Sequence, residues 1–197
     1  MIFSGFTDEA SDKLEGQISA TKSLGWDYLS ARTFNGQNIH DMTEYDFGIM
    51  CDDLDSNDIK VAEFGTLIGN WGKSINSDWD ITLAEIERCI PRMQRLDVKH
   101  ARVMSYAQNP WGEEQFEQER FKRLREIVQR FEDAGLIALH ENCMNYGGMS
   151  WQHTLQMLDA VPRLKLVYDT GNPVITKDYS KGGTDYQDPW EFYSNVR

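Results

Sequence analysis

Two carboxylates, Glu141 and Asp169, each close a short apolar stretch, Leu-Ile-Ala-Leu then His140 before Glu141, and Leu-Lys-Leu-Val-Tyr before Asp169. A carboxylate at the end of a packed strand is costly unless a cation or hydrogen-bond donors compensate it. A pair of such oxygens suits Mg²⁺ or Mn²⁺, and an added imidazole would admit Zn²⁺. Spacing alone favours a plainer alternative, in which Asp169 caps a turn and Glu141 opens a solvated loop.

Further candidates lie where other strands are expected to end. Phe6-Thr7-Asp8-Glu9, Arg32, Gly65-Thr66, Asn70-Trp71-Gly72-Lys73 and Ser105-Tyr106 are all polar junctions. Among them Glu9 and Arg32 are substrate-contact candidates. Trp71 and Lys73 offer an apolar floor and an anion contact for a sugar or sugar phosphate, or else a loop tryptophan packed on a helix. Asn172 follows Asp169 closely enough to touch the same substrate, although Asn172-Pro173 is also an ordinary turn. His140 should point away from any cavity that Glu141 faces, because side chains alternate along a strand. Cys143, three residues on, reads as a small buried thiol. No GxSxG, P-loop or GxGxxG arrangement occurs, which removes the simplest serine-hydrolase, nucleotidase and dinucleotide readings.

The elements that would carry these residues alternate along the chain. Strands are expected at Ile2–Phe6, Trp26–Arg32, Ile59–Gly65, His100–Ser105, Leu136–Glu141 and Leu164–Asp169. Between them run helical stripes. The first contains Ala10, Leu14, Ile18, Thr21 and Leu24, with Gly25 as its stop. A weaker stripe contains Tyr45, Ile49 and Leu54. The third begins near Asp80–Thr82 and contains Leu83, Ile86, Ile90, Met93 and Leu96, with Thr82 and Glu85 as a capping box and a bend at Pro91. A fourth has Phe116, Leu124, Ile127, Val128 and Phe131 inward, its solvated face within the charged run 113–133, and Ser150–Ala160 makes a fifth. Six strand-then-helix units imply a parallel sheet with helical crossovers. No Pro/Gly/Ser-rich linker divides residues 1–197, which predicts a single domain. Asp188-Pro189 opens a last helix that stops at Arg197 without a cap, whereas a complete eight-unit barrel needs roughly 250 residues. The expectation is an α/β chain of the (β/α)8 TIM-barrel type, incomplete, with about six units present.

Composition narrows the partners. Thirty-two acidic against twenty basic residues leave a net charge of −12, which repels phosphate backbones and argues against nucleic acid. The cysteines (Cys51, Cys89, Cys143) form no CxxC pair or disulfide framework, as in a reducing compartment. Neither a signal peptide nor a run of the ~18 apolar residues needed to cross a bilayer is present, so no membrane partner and a cytoplasmic location are expected.

His140-Glu141-Asn142-Cys143, followed by Tyr168-Asp169-Thr170-Gly171-Asn172-Pro173, resembles the xylose isomerase-like barrel family, also called the sugar phosphate isomerase/epimerase family. Gly5-Phe6-Thr7-Asp8-Glu9 and Gly25-Trp26-Asp27-Tyr28 share the likeness, which spans essentially the whole chain. The resemblance implies a (β/α)8 barrel in which four residues at the ends of strands five to eight hold a divalent metal, typically Glu, Asp, His and Glu. Glu141 matches the first ligand and Asp169 the second. The third and fourth lie on strands this chain does not have, and His40, His100 and His153 fall before a helix, at a strand start and inside a helix. The segment ending in Arg32 also departs from the family, whose members often carry an acid there.

Together these readings predict a divalent-metal-dependent (Mn²⁺, Mg²⁺ or Zn²⁺) isomerase or epimerase of a sugar, sugar phosphate or small polyol. It would work by proton transfer through an enediolate, with Glu141 as ligand and acid/base and Asp169 as ligand only. A metal-dependent endonuclease of the same barrel type is one alternative, opposed by the charge. The other is an inactive fragment or binding protein, in which metal is weakly held or lost and open sheet edges favour a homo-oligomer.

Overall fold

Short apolar runs bounded by turn residues become strands, and the longer periodic stretches between them become helices. In the computed structural model, which describes residues 1–197, β1 (Tyr28–Ala31) is followed by a small hairpin, β2 (Thr33–Phe34) and β3 (Gln37–Asn38). Next come β4 (Lys60–Gly65), β5 (His100–Val103), β6 (Ile137–Glu141) and β7 (Lys165–Val167). The main sheet has the order β1-β4-β5-β6-β7 and every pairing in it is parallel. Each crossover carries a helix: α2 (Glu44–Ser56), α3 (Trp79–Arg95), α4 (Glu117–Asp133) and α5 (Trp151–Ala160). α1 (Leu14–Ser23) precedes β1, and α6 (Asn172–Ile175) and α7 (Pro189–Val196) follow β7.

The register assigns each strand residue to a face. Glu63 pairs with His100, Gly65 with Arg102, Arg102 with Leu139 and Glu141 with Val167, so Glu63, Gly65, Arg102, Leu139 and Glu141 share one face. Phe64, Ala101, Val103 and Ala138 point the opposite way, into an apolar core shared with Ile86, Cys89, Leu124, Ile127, Val128 and Met157 of the helices. The sheet is therefore greasy behind and polar in front, and the polar front is where chemistry can be placed.

Three local expectations are corrected. Ile2–Phe6 is not a full strand: only Phe6 bridges to Ser30, Ser30 N donates to Gly5 O at 2.9 Å, and Ile2 and Phe3 are exposed. A segment at the sheet margin with one neighbour has half the usual ladder to hold it. α2 buries Phe47, Met50, Cys51 and Leu54 and leaves Tyr45 and Ile49 in solvent, because the stripe through Phe47 contains more apolar bulk. α3 starts at Trp79, beside the expected start, but Thr82 and Glu85 are not its capping box. The Asp78 side chain caps it by accepting from Asp80 N at 3.1 Å, which puts Thr82 and Glu85 in mid-helix facing inward. Pro91 lies inside that helix without ending it. The hairpin was not expected. Asn35-Gly36, with φ of 51° and 80°, is its turn and the one signal for it. No helix is long and apolar enough to cross a membrane.

Candidate active site at the carboxyl ends of the strands

Glu141 is the last residue of β6 and lies on the polar front, 7% exposed. Arg102, one strand over, places Nη1 3.1 Å from Glu141 Oε2. Its N–H bonds are not aimed at that oxygen, which takes no hydrogen bond from the protein. Asn172 Nδ2 reaches Glu141 Oε1 at 3.5 Å. Burial pushes the Glu141 carboxyl above the usual carboxylate range; Arg102 and Arg32 pull it down, and Asp169 and Glu63 push it further up. The Glu141 carboxylate is thus buried, with Oε2 ion-paired to Arg102 but taking no hydrogen bond.

Asp169 sits just past the end of β7. Its Oδ1 accepts from Gly171 N at 2.6 Å and Asn172 N at 3.0 Å, so the turn-capping role is real. Its Oδ2 takes no bond from the protein and remains available. The Asp169 backbone is held by the side chain of Asn142, through bonds of 2.6 and 2.9 Å.

The other sequence candidates divide. Arg32 is bidentate on Asp8, at 2.7 and 2.8 Å, and reaches Glu9 at 3.2 Å. Its guanidinium stacks 4.5 Å from the Phe6 ring, whose other neighbour is Arg102 at 5.0 Å. Gly65 makes this possible, since a Cβ there would lie 2.7 Å from the Phe6 ring. Lys73 is committed elsewhere, to the buried Glu85 and to Leu67 O at 2.7 Å. Trp71 is exposed in the same loop, and no contact joins it or Lys73 to Glu141. The structure therefore gathers Glu141, Asp169 and Asn172, links Glu9 and Arg32 to them through Phe6 and Arg102, and leaves Trp71 and Lys73 apart.

His140 points to the back of the sheet, as alternation required. Its Nε2 lies 3.0 Å from Ser105 Oγ. That hydroxyl donates to Asn145 Oδ1 at 2.7 Å and accepts from Gly147 N at 2.7 Å, so the imidazole is assigned its proton on Nε2. Burial pushes its pKa down to about 3, so it is neutral. Asn145 Nδ2 in turn donates to the Glu141 carbonyl at 3.1 Å, which ties this network to the strand end. Cys143 is buried and free.

Sequence reading missed Arg102, Glu63 and a role for Asn142. The available signal was a lone arginine in the apolar run Ala101–Met104, in phase with Glu141 once the strands are aligned.

Two carboxylate oxygens without a hydrogen bond from the protein, Glu141 Oε2 beside the Arg102 guanidinium and Asp169 Oδ2, could contribute to a divalent cation's ligand set. No group of three or more His, Cys, Asp and Glu side chains comes together anywhere in the chain.

The sequence matches the family model of xylose isomerase-like TIM barrels over residues 18–195. No curated protein matches it. Solved structures that share the fold include a xylose isomerase-like TIM barrel protein from Mycobacterium smegmatis in complex with magnesium, at 13% identity and a TM-score of 0.72, covering 99% of this chain and 71% of that one. The probable 3-DHS dehydratase AsbF from Bacillus anthracis aligns at 18% identity and a TM-score of 0.72, over 100% of this chain and 70% of its own. A D-tagatose 3-epimerase-like protein aligns at 15% and 0.68, over 98% and 70%.

Proposed function

This chain belongs to the xylose isomerase-like TIM barrel family, and from that premise we propose that it serves a divalent-metal-dependent isomerase or epimerase acting on a small sugar or related hydroxy-ketone. The observation that carries the proposal is Glu141. It stands at the carboxyl end of a barrel strand, where the chemistry of such folds collects. Burial raises its basicity, and Oε2 has no protein donor.

The reaction class follows from what these residues can do. A carboxylate of raised pKa is suited to taking the proton alpha to a carbonyl, because its affinity for that proton lies closer to working pH than that of an exposed acid. Arg102 favours the charged form of Glu141 and orients it, and Asn172 steadies the second oxygen. Asp169, with Oδ1 anchored, presents Oδ2 as a ligand oxygen. When bound beside these groups, a divalent cation supplies the positive charge that stabilises the developing enediolate oxygens. Proton return by Glu141 to the adjacent carbon, with the hydroxyl proton passing from one enediolate oxygen to the other, gives an aldose–ketose shift. Inversion at one carbon requires a second acid on the opposite face of the substrate.

The test is solvent deuterium incorporation. The protein would be incubated in D₂O with ketoses and aldoses, separately with Mn²⁺, Mg²⁺ and Zn²⁺, and followed by NMR. Deuterium at the carbon alpha to the carbonyl, dependent on metal, is the expected result. Metal binding with no incorporation into any hydroxy-ketone would overturn the reading.

A further inference from the structure

β6 and β7 pair as a regular ladder only as far as Glu141 and Val167. Beyond that rung a side chain continues the pattern. Asn142 Oδ1 accepts from Asp169 N at 2.6 Å, and Asn142 Nδ2 donates to Asp169 O at 2.9 Å. A primary amide offers the same acceptor and donor as a peptide unit, so Asn142 acts as an extra rung that grips both backbone polar groups of one residue. Only this orientation of the amide satisfies both contacts. Asn142 is 2% exposed, so water does not compete for the pair.

The residue it grips is the one whose carboxylate is half committed. Asp169 Oδ1 is fixed by the amides of Gly171 and Asn172. The backbone is thus held from the side of β6 and one oxygen from the start of α6. The direction of Oδ2 follows from those restraints. Without Asn142, Asp169 would hang from the last ladder rung two residues back, and the donors of Oδ1 would no longer face a fixed target.

We propose that Asn142 is a positioning residue that holds Asp169 in ligand geometry for a divalent cation. The assignment rests on the metal-dependent reading given above. Outer partners of metal ligands set affinity by about 10–100-fold when removed, because the ligand must then be ordered at the moment of binding.

The test compares wild type with Asn142→Leu, close in shape but with no amide. Mn²⁺ titration of each protein by calorimetry should show affinity reduced at least about tenfold in the variant, with the far-UV spectrum unchanged. Amide hydrogen exchange in metal-free protein should show the Asp169, Gly171 and Asn172 amides losing protection while β6 and β5 keep theirs. Unchanged Mn²⁺ affinity overturns the proposal. So does retained protection at Gly171 and Asn172, since the carboxylate has then not moved. If wild type binds no Mn²⁺, the metal-dependent reading falls, and the positioning role falls with it whatever the exchange shows. Should Asn142→Leu fail to fold, Asn142→Ser, too short to reach either Asp169 group, is judged by the same criteria.

Discussion

Arg102 Nη1 and Glu141 Oε2 lie 3.1 Å apart with their side chains only 6% and 9% exposed, an ion pair across neighbouring parallel strands. It sits on the polar front of the sheet, with the acidic Asp169 and Glu63 near enough to oppose ionisation of Glu141. Arg102 is therefore the nearest group that favours the charged form of this buried carboxylate, against the burial that raises its pKa.

Replacing Arg102 by Met should leave that carboxylate buried without its partner. The sign follows from the raised pKa. In the folded state Glu141 holds its proton more tightly than in the unfolded chain, so its contribution to stability is fully present below the unfolded value. That contribution is lost as pH rises through the folded value. Removing Arg102 raises the folded value again and enlarges the loss. Urea midpoints measured with a chelator present should show Arg102→Met destabilised by about 3–5 kcal/mol near pH 8 and by visibly less near pH 5. An equal loss at both pH values would count against the pairing.

Glu141→Gln keeps the shape of the side chain and removes the base. Turnover of any hydroxy-ketone found to be a substrate should fall about 10³-fold, within the range of a lost general base. Because the buried Arg102 loses its counter-charge, the melting temperature should fall as well, so turnover is compared at a temperature where both proteins are folded. Undiminished deuterium incorporation by this variant would remove Glu141 from the proton-transfer step.

Lys73 makes its contacts inside the protein. With the Lys73 side chain removed, Glu85, whose carboxyl burial already raises, loses its counter-charge. Lys73→Met should cost about 3 kcal/mol of stability and leave substrate KM within a factor of two. A large KM change at unchanged stability would return Lys73 to the substrate.

Two glycines make a matched pair. A Cβ at Gly148 would stand 1.8 Å from Cys143 O, a backbone atom in the loop that follows Glu141. At Gly48, within α2, it would meet nothing within 4 Å. Gly148→Ala should therefore destabilise by about 3 kcal/mol. Gly48→Ala should stabilise by about 0.5–1 kcal/mol, because alanine loses less freedom in a helix interior. Chemical denaturation of both variants decides the matter.

Much of this architecture was legible from residue order. Apolar runs of four to six residues alternating with helical stripes are local signals, and they recovered the five paired strands, their crossover helices and the Asp188-Pro189 helix start. Phase along a strand is also local, and it correctly sent His140 to the back when Glu141 faced front. The capping box at Thr82 misled because Asp78 offers an equally good cap one turn earlier, and only packing of Thr82 against the Tyr106 hydroxyl, at 3.0 Å, decides between them.

Spacing alone favours separate turn and loop roles for Glu141 and Asp169, and it is the family resemblance of their motifs that marks them as a carboxylate pair. Neither says what stands beside that pair. Arg102 is 39 positions from Glu141 and meets it only through the register of two parallel strands. Asn142 reaches Asp169 because it is the first residue past the last β6–β7 rung, Glu141 with Val167. Lys73 found Glu85 through the turn that starts α3. Neighbours supplied by strand pairing and helix phase lie far apart in sequence, so charge, burial and free lone pairs at Glu141 and Asp169 were set by tertiary structure alone.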